Sequence, residues 1–323
     1  MGDILFGDVV QSYECLNAGL TNFLRIWGSK VAPEEIFFIG NGFCFRVENR
    51  KGFKRLVSDA YKSSFYYMDK MKIRYIHKFL EDISNPGQFV IDAILNRHFI
   101  SLKIRSDYLT YNKVFMQTVA NHYIDVIDYN EERNQLYIVD GNVPTMIPSS
   151  YAGWVDMDTI IEGWKWTNYE YIEFFCPEHL PETLDTQFVS AIIDQLNGYL
   201  LKNSVETGAN AIVLLFEQIS ELQGDELAKT AKEINYQLRV DGFFASREYL
   251  LNGLTRYDGF DELIQEEENI LQKWNLVCMM CIKVSISKKP EEITKLIHFV
   301  RSLVKMEKNV LCEVVNKLSG IAN

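Results

Sequence analysis

The sequence predicts an α+β domain followed by a mainly helical one, and three observations carry that reading. Two alternating runs, His122 to Tyr129 (HYIDVIDY) and Gln135 to Asp140 (QLYIVD), are joined by the short polar stretch Asn130 to Asn134, the pattern of a β-hairpin. Beyond about Leu184 long helical patterns take over. Pro177 and Pro181 stand where the character changes. For 323 residues about two domains are expected, and the boundaries are placed at 1–180 and 181–323.

The elements follow in order. Cys15 to Trp27 (CLNAGLTNFLRIW) has apolar residues at 16, 20, 23, 24 and 27, which is helical spacing, and Gly28 is a natural stop. Ile36 to Phe45 is short, apolar and broken by glycine, and reads as a strand or buried loop. Val57 to Ile83 is mixed and partly helical. Phe99 to Ile104 and Tyr171 to Phe175 read as strands beside the hairpin. The helical patterns are Phe188 to Leu201, Gln218 to Leu238, Ser246 to Leu254, Phe260 to Met280 and Pro290 to Leu318. The apolar content of Phe260 to Met280 suits a homodimer contact and internal packing equally well.

Composition excludes several classes. Hydrophobic residues make up 47% and charged ones 24%, which is neither disordered nor low-complexity composition. No apolar stretch reaches the roughly 18 residues of a membrane span. Met1 to Val10 lacks a basic region and carries Asp3 and Asp8, so no secretory signal is expected. The six irregularly spaced cysteines do not form a disulfide framework, and a cytoplasmic protein with reduced thiols is expected. A net charge of −11 disfavours nucleic acid as a partner. That charge is uneven: Arg46 to Lys78 holds ten cations against Glu48, Asp59 and Asp69, a local +7 that could steer an acidic partner or simply be a solvated face.

The chemistry centres on Cys15. A thiol at a helix N-terminus ionises more readily, and the thiolate is the nucleophile. His122 opens one strand of the hairpin and Asp140 closes the other, so the carboxylate can orient the imidazole. Nucleophile, base and orienter in this order, on a helix and then a sheet, form a papain-type arrangement. Taken singly, each residue is more often structural. Gln11, four residues before Cys15, is a candidate to hold an oxyanion with the Cys15 N–H, and Asn17 is a weaker one. Cys278 and Cys281 form a CxxC inside an apolar helical run with no second pair, which points to neither zinc nor redox work. GNG at 40–42 lacks the context of a phosphate loop, and no metal site is expected.

Three blocks carry a resemblance: SYECLNAGLTNFLRIWG with the following IGNGFCF, then SLKIRSDYLTYNKVF, then NHYIDVIDYNEERNQLYIVDGNVP. Over roughly residues 8–150 the chain resembles the N-terminal domain of butirosin biosynthesis protein H and its relatives. These are papain-like, C39-peptidase-like acyltransferases and amide synthases of thiotemplated antibiotic pathways, including closthioamide-type ones. The helical remainder is similar to the family's second domain in character only. The resemblance implies a papain-like cysteine protease fold with a C-terminal helical domain, and a triad falling on Cys15, His122 and Asp140. It implies acyl transfer from a carrier protein's phosphopantetheine thioester, through an acyl-enzyme, to a small amine. The phosphopantetheine would be the substrate's arm, with no intrinsic cofactor. One departure is visible: Glu14 precedes the nucleophile, where His is expected in many relatives. On this reading Lys51, Lys54 and Arg55 in the basic block would dock the acidic carrier. Tyr108 and Tyr111, before His122, would line the acyl or acceptor site unless they simply pack. The alternatives are a cysteine peptidase or thioester hydrolase with the same triad, and a non-catalytic carrier-binding module.

Overall fold

In the computed structural model, residues 9–50, 53–80, 83–112, 119–143, 149–201, 206–240 and 242–322 are described. In chain order the elements are α1 (Cys15–Ile26), α2 (Pro33–Ile39), β1 (Phe45–Arg50), β2 (Phe53–Ser58), α3 (Ser63–Lys70), β3 (Tyr75–Lys78), α4 (Pro86–Leu95), β4 (Phe99–Arg105), β5 (Asn121–Asn130), β6 (Gln135–Val143), β7 (Ser149–Asp156), α5 (Met157–Lys165) and β8 (Tyr171–Phe174). Six further helices follow: α6 (Asp185–Leu201), α7 (Gly208–Glu217), α8 (Gly224–Val240), α9 (Phe243–Leu254), α10 (Asp261–Ser287) and α11 (Pro290–Ala322). The architecture is α+β with antiparallel sheets. Among the described residues no helix is long and apolar enough to cross a membrane.

The chain divides into two compact units, residues 1–36 with 64–182, and residues 37–63 with 183–323. The segment 37–63, which the sequence boundary at 180 left with the first domain, thus belongs with the helices.

The first unit is built on a six-stranded sheet of order β3-β8-β4-β5-β6-β7. Ile100, Leu102, Ile104, Ile124, Val126, Leu136 and Ile138 alternate along its strands and share one core with Val90 of α4 and Ile160 and Trp164 of α5. Helix α1 packs on β5 and β6 from the other face, where Phe23 meets Phe99 at 5.0 Å and Phe174 at 4.7 Å between ring centroids. Small residues permit its close approach. A Cβ on Gly19 would stand 2.6 Å from Asp125 Oδ1, and one on Gly141 would stand 2.6 Å from the Ala18 Cβ and also collide with the Val10 carbonyl. Gly28, at φ 96°, ends α1 and donates its N–H to the Arg25 carbonyl.

In the second unit β1 and β2 pair with Phe45 opposite Ser58. An isolated two-stranded ribbon is marginal, so it needs a surface to lie on, and α7 and α8 supply it. Gln237 of α8 accepts from the Leu56 N–H, and Gln218 accepts from the Lys54 N–H while donating to its carbonyl. At the centre Arg247 and Glu307 form a fully buried ion pair at 2.9 Å, and Tyr199 donates to Glu307 at 2.8 Å. The guanidinium lies 3.7 Å from the Phe243 ring centroid.

Several elements depart from the sequence reading. Ile36 to Ile39 is the end of a short helix whose start is marked by Pro33 and two acids, and the strand begins only at Phe45. Helices α4 and α5, capped by Asn85 and Asp156, and strand β7 were not anticipated. The run from Gln218 to Leu238 is a short 3₁₀ turn at Gln218–Glu221 followed by α8, which begins at Gly224.

Candidate active site

The site grows from the β5–β6 hairpin. Asp125 pairs with Val139; continuing that register by one step sets Asp140 across from Ile124, two residues along from His122. At that diagonal spacing side chains of one face can reach each other. His122 Nε2 and Asp140 Oδ2 are 2.9 Å apart, with both residues buried. His122 is also hydrogen bonded to Cys15, the first residue of α1. Cys15 itself is half-buried. The structure therefore brings the three predicted residues into one hydrogen-bonded chain.

The electrostatics follow from that contact. Burial alone would depress the His122 pKa, but the charges of Asp140 and Cys15 and the hydrogen bonds to both outweigh it and hold the imidazole well above its ordinary value. Asp140 pays a desolvation cost in the opposite direction. His122, the Tyr111 hydroxyl and the Asn142 N–H still hold its carboxyl below the ordinary range. An imidazole held between a carboxylate and a sulfur is the arrangement of a cysteine nucleophile with its base and orienter.

The other predicted residues separate. Tyr111 donates its hydroxyl to Asp140 Oδ2 at 2.6 Å and so belongs to the site. Tyr108 does not join it: its hydroxyl accepts from Trp166 Nε1 at 3.0 Å, and Arg105 lies 4.9 Å over its ring. Gln11 is exposed, on the segment held beside β6 by the Ser12 N–H to Gly141 carbonyl bond. Asn17 is buried, and its Oδ1 accepts from Ser64 Oγ.

The basic block is divided between the two units. Arg46, Arg50, Lys54, Arg55 and Lys62 fall in the second unit, and Lys70, Lys72, Arg74 and Lys78 in the first. Lys51 lies outside the described residues, while Lys54 and Arg55 are half-buried on β2. Arg46 is paired with Glu48 and Asp59, Lys62 with Asp59, and Arg74 lies 4.0 Å over the Phe175 ring.

Two polar clusters escaped the sequence. Asp125, beneath Gly19, is buried and accepts from Ser101. Burial pushes its carboxyl up to about 8, with Asp140 adding to the rise and Ser101 and His122 opposing it. Glu170 accepts from Tyr123 at 2.6 Å, Lys103 at 2.8 Å and His77 at 2.9 Å. Burial opposes its ionisation, but these partners bring its carboxyl down to about 2. His77 and His98, without neighbours in sequence, thus find Glu170 and Glu173 in space. Only alternation along the strands, which puts Lys103 opposite Tyr123, could have hinted at the Glu170 cluster. Cys278 and Cys281 are buried in α10, and burial pushes both thiols up, to about 11 for Cys278. Among the described residues no group of three or more His, Cys, Asp or Glu is placed to hold a metal ion.

No protein-family profile matches the chain, and no curated protein matches it. Among solved structures, one described as a C39-like peptidase from Bacillus anthracis is similar over 53% of this chain and 96% of its own, at 10% identity and a TM-score of 0.34.

Proposed function

We propose that the chain is a papain-like, cysteine-dependent acyltransferase. It would take an acyl group from a carrier protein's phosphopantetheine thioester onto Cys15 and pass it to an amine. The observation that carries the cysteine chemistry is the placing of a half-buried Cys15 beside the buried His122–Asp140 pair. The thioester donor and the amine acceptor rest on the sequence resemblance.

The reaction runs in two balanced halves. The Cys15 thiolate attacks the thioester carbonyl carbon, forming an S–C bond and an oxyanion. The Cys15 N–H, one of the first-turn amides that a helix leaves without an internal acceptor, is a donor for that oxyanion. The tetrahedral species collapses by breaking the C–S bond to pantetheine, and His122 gives its proton to the departing thiolate. The neutral imidazole then takes the proton of the attacking amine as the N–C bond forms and the bond to Cys15 breaks. Asp140 keeps the ring turned throughout. Thioester to amide is downhill, so the exchange balances without a further reactant.

Intact-mass spectrometry with acyl-loaded carrier proteins tests this. The wild-type chain should gain the acyl mass, Cys15→Ser should hold no thioester adduct, and adding a diamine should discharge the adduct into an amide. An adduct that water removes and no amine ever does would leave a hydrolase instead. No adduct from any loaded carrier, with Cys15 still alkylated readily by iodoacetamide, would overturn the carrier reading.

A further inference from the structure

Asp140 receives more hydrogen bonds than the orientation of an imidazole requires. Its Oδ1 accepts from the Asn142 N–H at 2.9 Å, and its Oδ2 accepts from both His122 Nε2 at 2.9 Å and the Tyr111 hydroxyl at 2.6 Å. Two donors therefore share one oxygen. Tyr111 reaches it from the chain that follows β4. Its ring is laid face to face on that of Tyr151, 4.1 Å between centroids and 9° between planes. Tyr151 stands on β7 opposite Asp140 itself. The phenol is thus aimed by a stack, while the carboxylate is fixed by three donors from three parts of the chain.

We propose that Tyr111 is a positioning residue: its hydroxyl locks the Asp140 carboxylate and draws off part of the charge that Oδ2 would otherwise turn on His122. The proposal deepens the acyltransferase reading and rests on it for its use, though its test needs no acyl substrate. Burial, and after it the nearby Asp140 charge, push the Tyr111 phenol well above its ordinary value, so it remains a donor wherever the enzyme works. The groups that act on His122 are Cys15 from α1 and Asp140 from β6; Asp125, on its own strand, is coupled to both His122 and Asp140. Tyr111 acts on the imidazole only through Asp140. A hydrogen bond to a charged acceptor is strong enough for this, since it is worth about 1.5–3 kcal/mol.

Tyr111→Phe keeps the stack on Tyr151 and removes only the hydroxyl. The Asp140 charge then falls more fully on the ring. An NMR titration of the His122 ring, assigned by its loss in His122→Asn, should show the His122 pKa rising by about half a unit to one unit, with the thermal unfolding midpoint little changed. A purely structural Tyr111 would lower the midpoint and leave the titration where it was. A titration that is unmoved or shifts downward overturns the proposal. Should Tyr111→Phe not fold, Tyr151→Leu removes the stack and leaves the hydroxyl in place; a smaller upward shift supports the proposal and no shift overturns it. Failure of carrier acylation alongside the upward shift would count against the acyltransferase reading and leave this assignment standing.

Discussion

Asp125 shows how much chemistry a single buried carboxyl can hold close to the site without belonging to it. Its pKa of about 8 in the folded chain lies above the ordinary unfolded value of about 3.9. The folded state therefore binds the extra proton between those limits, so stability is full below about pH 4 and declines as pH rises towards 8. Asp125→Asn removes that titration and can keep a hydrogen bond with Ser101. Between pH 5 and pH 8.5 the wild type should lose on the order of 4 kcal/mol more than the variant, read from urea midpoints. Equal losses would show that the carboxyl is ionised throughout. Gly19 enforces this arrangement, because a methyl there would stand 2.6 Å from the same carboxyl. Gly19→Ala should cost about 1–3 kcal/mol and depress Cys15 alkylation by lifting the first turn of α1.

At the scale of elements, the hairpin and α1 are legible from periodicity, whereas contacts between distant segments are not. The alternation of HYIDVIDY and QLYIVD yields the hairpin, and the spacing of Leu16, Leu20, Phe23 and Leu24 yields α1, because periodicity reports which face is buried. Cys15, His122 and Asp140 followed from those elements. Tyr111 was singled out only as a lining residue, since nothing local tells that a tyrosine 29 positions from Asp140 will donate to it. Helix α4 had a legible start in Asn85-Pro86, where the Asn85 side chain accepts from the Gln88 N–H. The charge on α10 was also opaque. Glu267 is fully buried among helices, neither carboxyl oxygen has a partner, and burial with the neighbouring Glu307 raises it to about 8 against the pull of Arg247. Glu267→Met should therefore raise stability by about 1–3 kcal/mol at pH 7 and by more above pH 8, as measured by denaturant unfolding. A loss of stability would mean that the carboxyl holds the Arg247–Glu307 pair in place.

For the whole molecule the deciding feature is that the second unit is discontinuous in sequence. Hydrophobic periodicity identifies a ribbon or a helix but not which distant helices will cover it, so the boundary at 180 missed the allegiance of 37–63. The ribbon's partners are Gln218 and Gln237, and Phe43 and Phe45 pack with Tyr199. A fragment of residues 1–182 should consequently expose these aromatic rings, bind a hydrophobic dye and precipitate, whereas the full chain should not. A soluble, cooperatively unfolding fragment would show that β1 and β2 do not need the helices. The same order of assembly bears on synthesis. Residue 63 leaves the ribosome about 120 residues before residue 183 does. At ~5–20 residues per second the nascent ribbon waits on the order of ten seconds for its cover. During that interval chaperones, rather than the chain's own helices, must shield it.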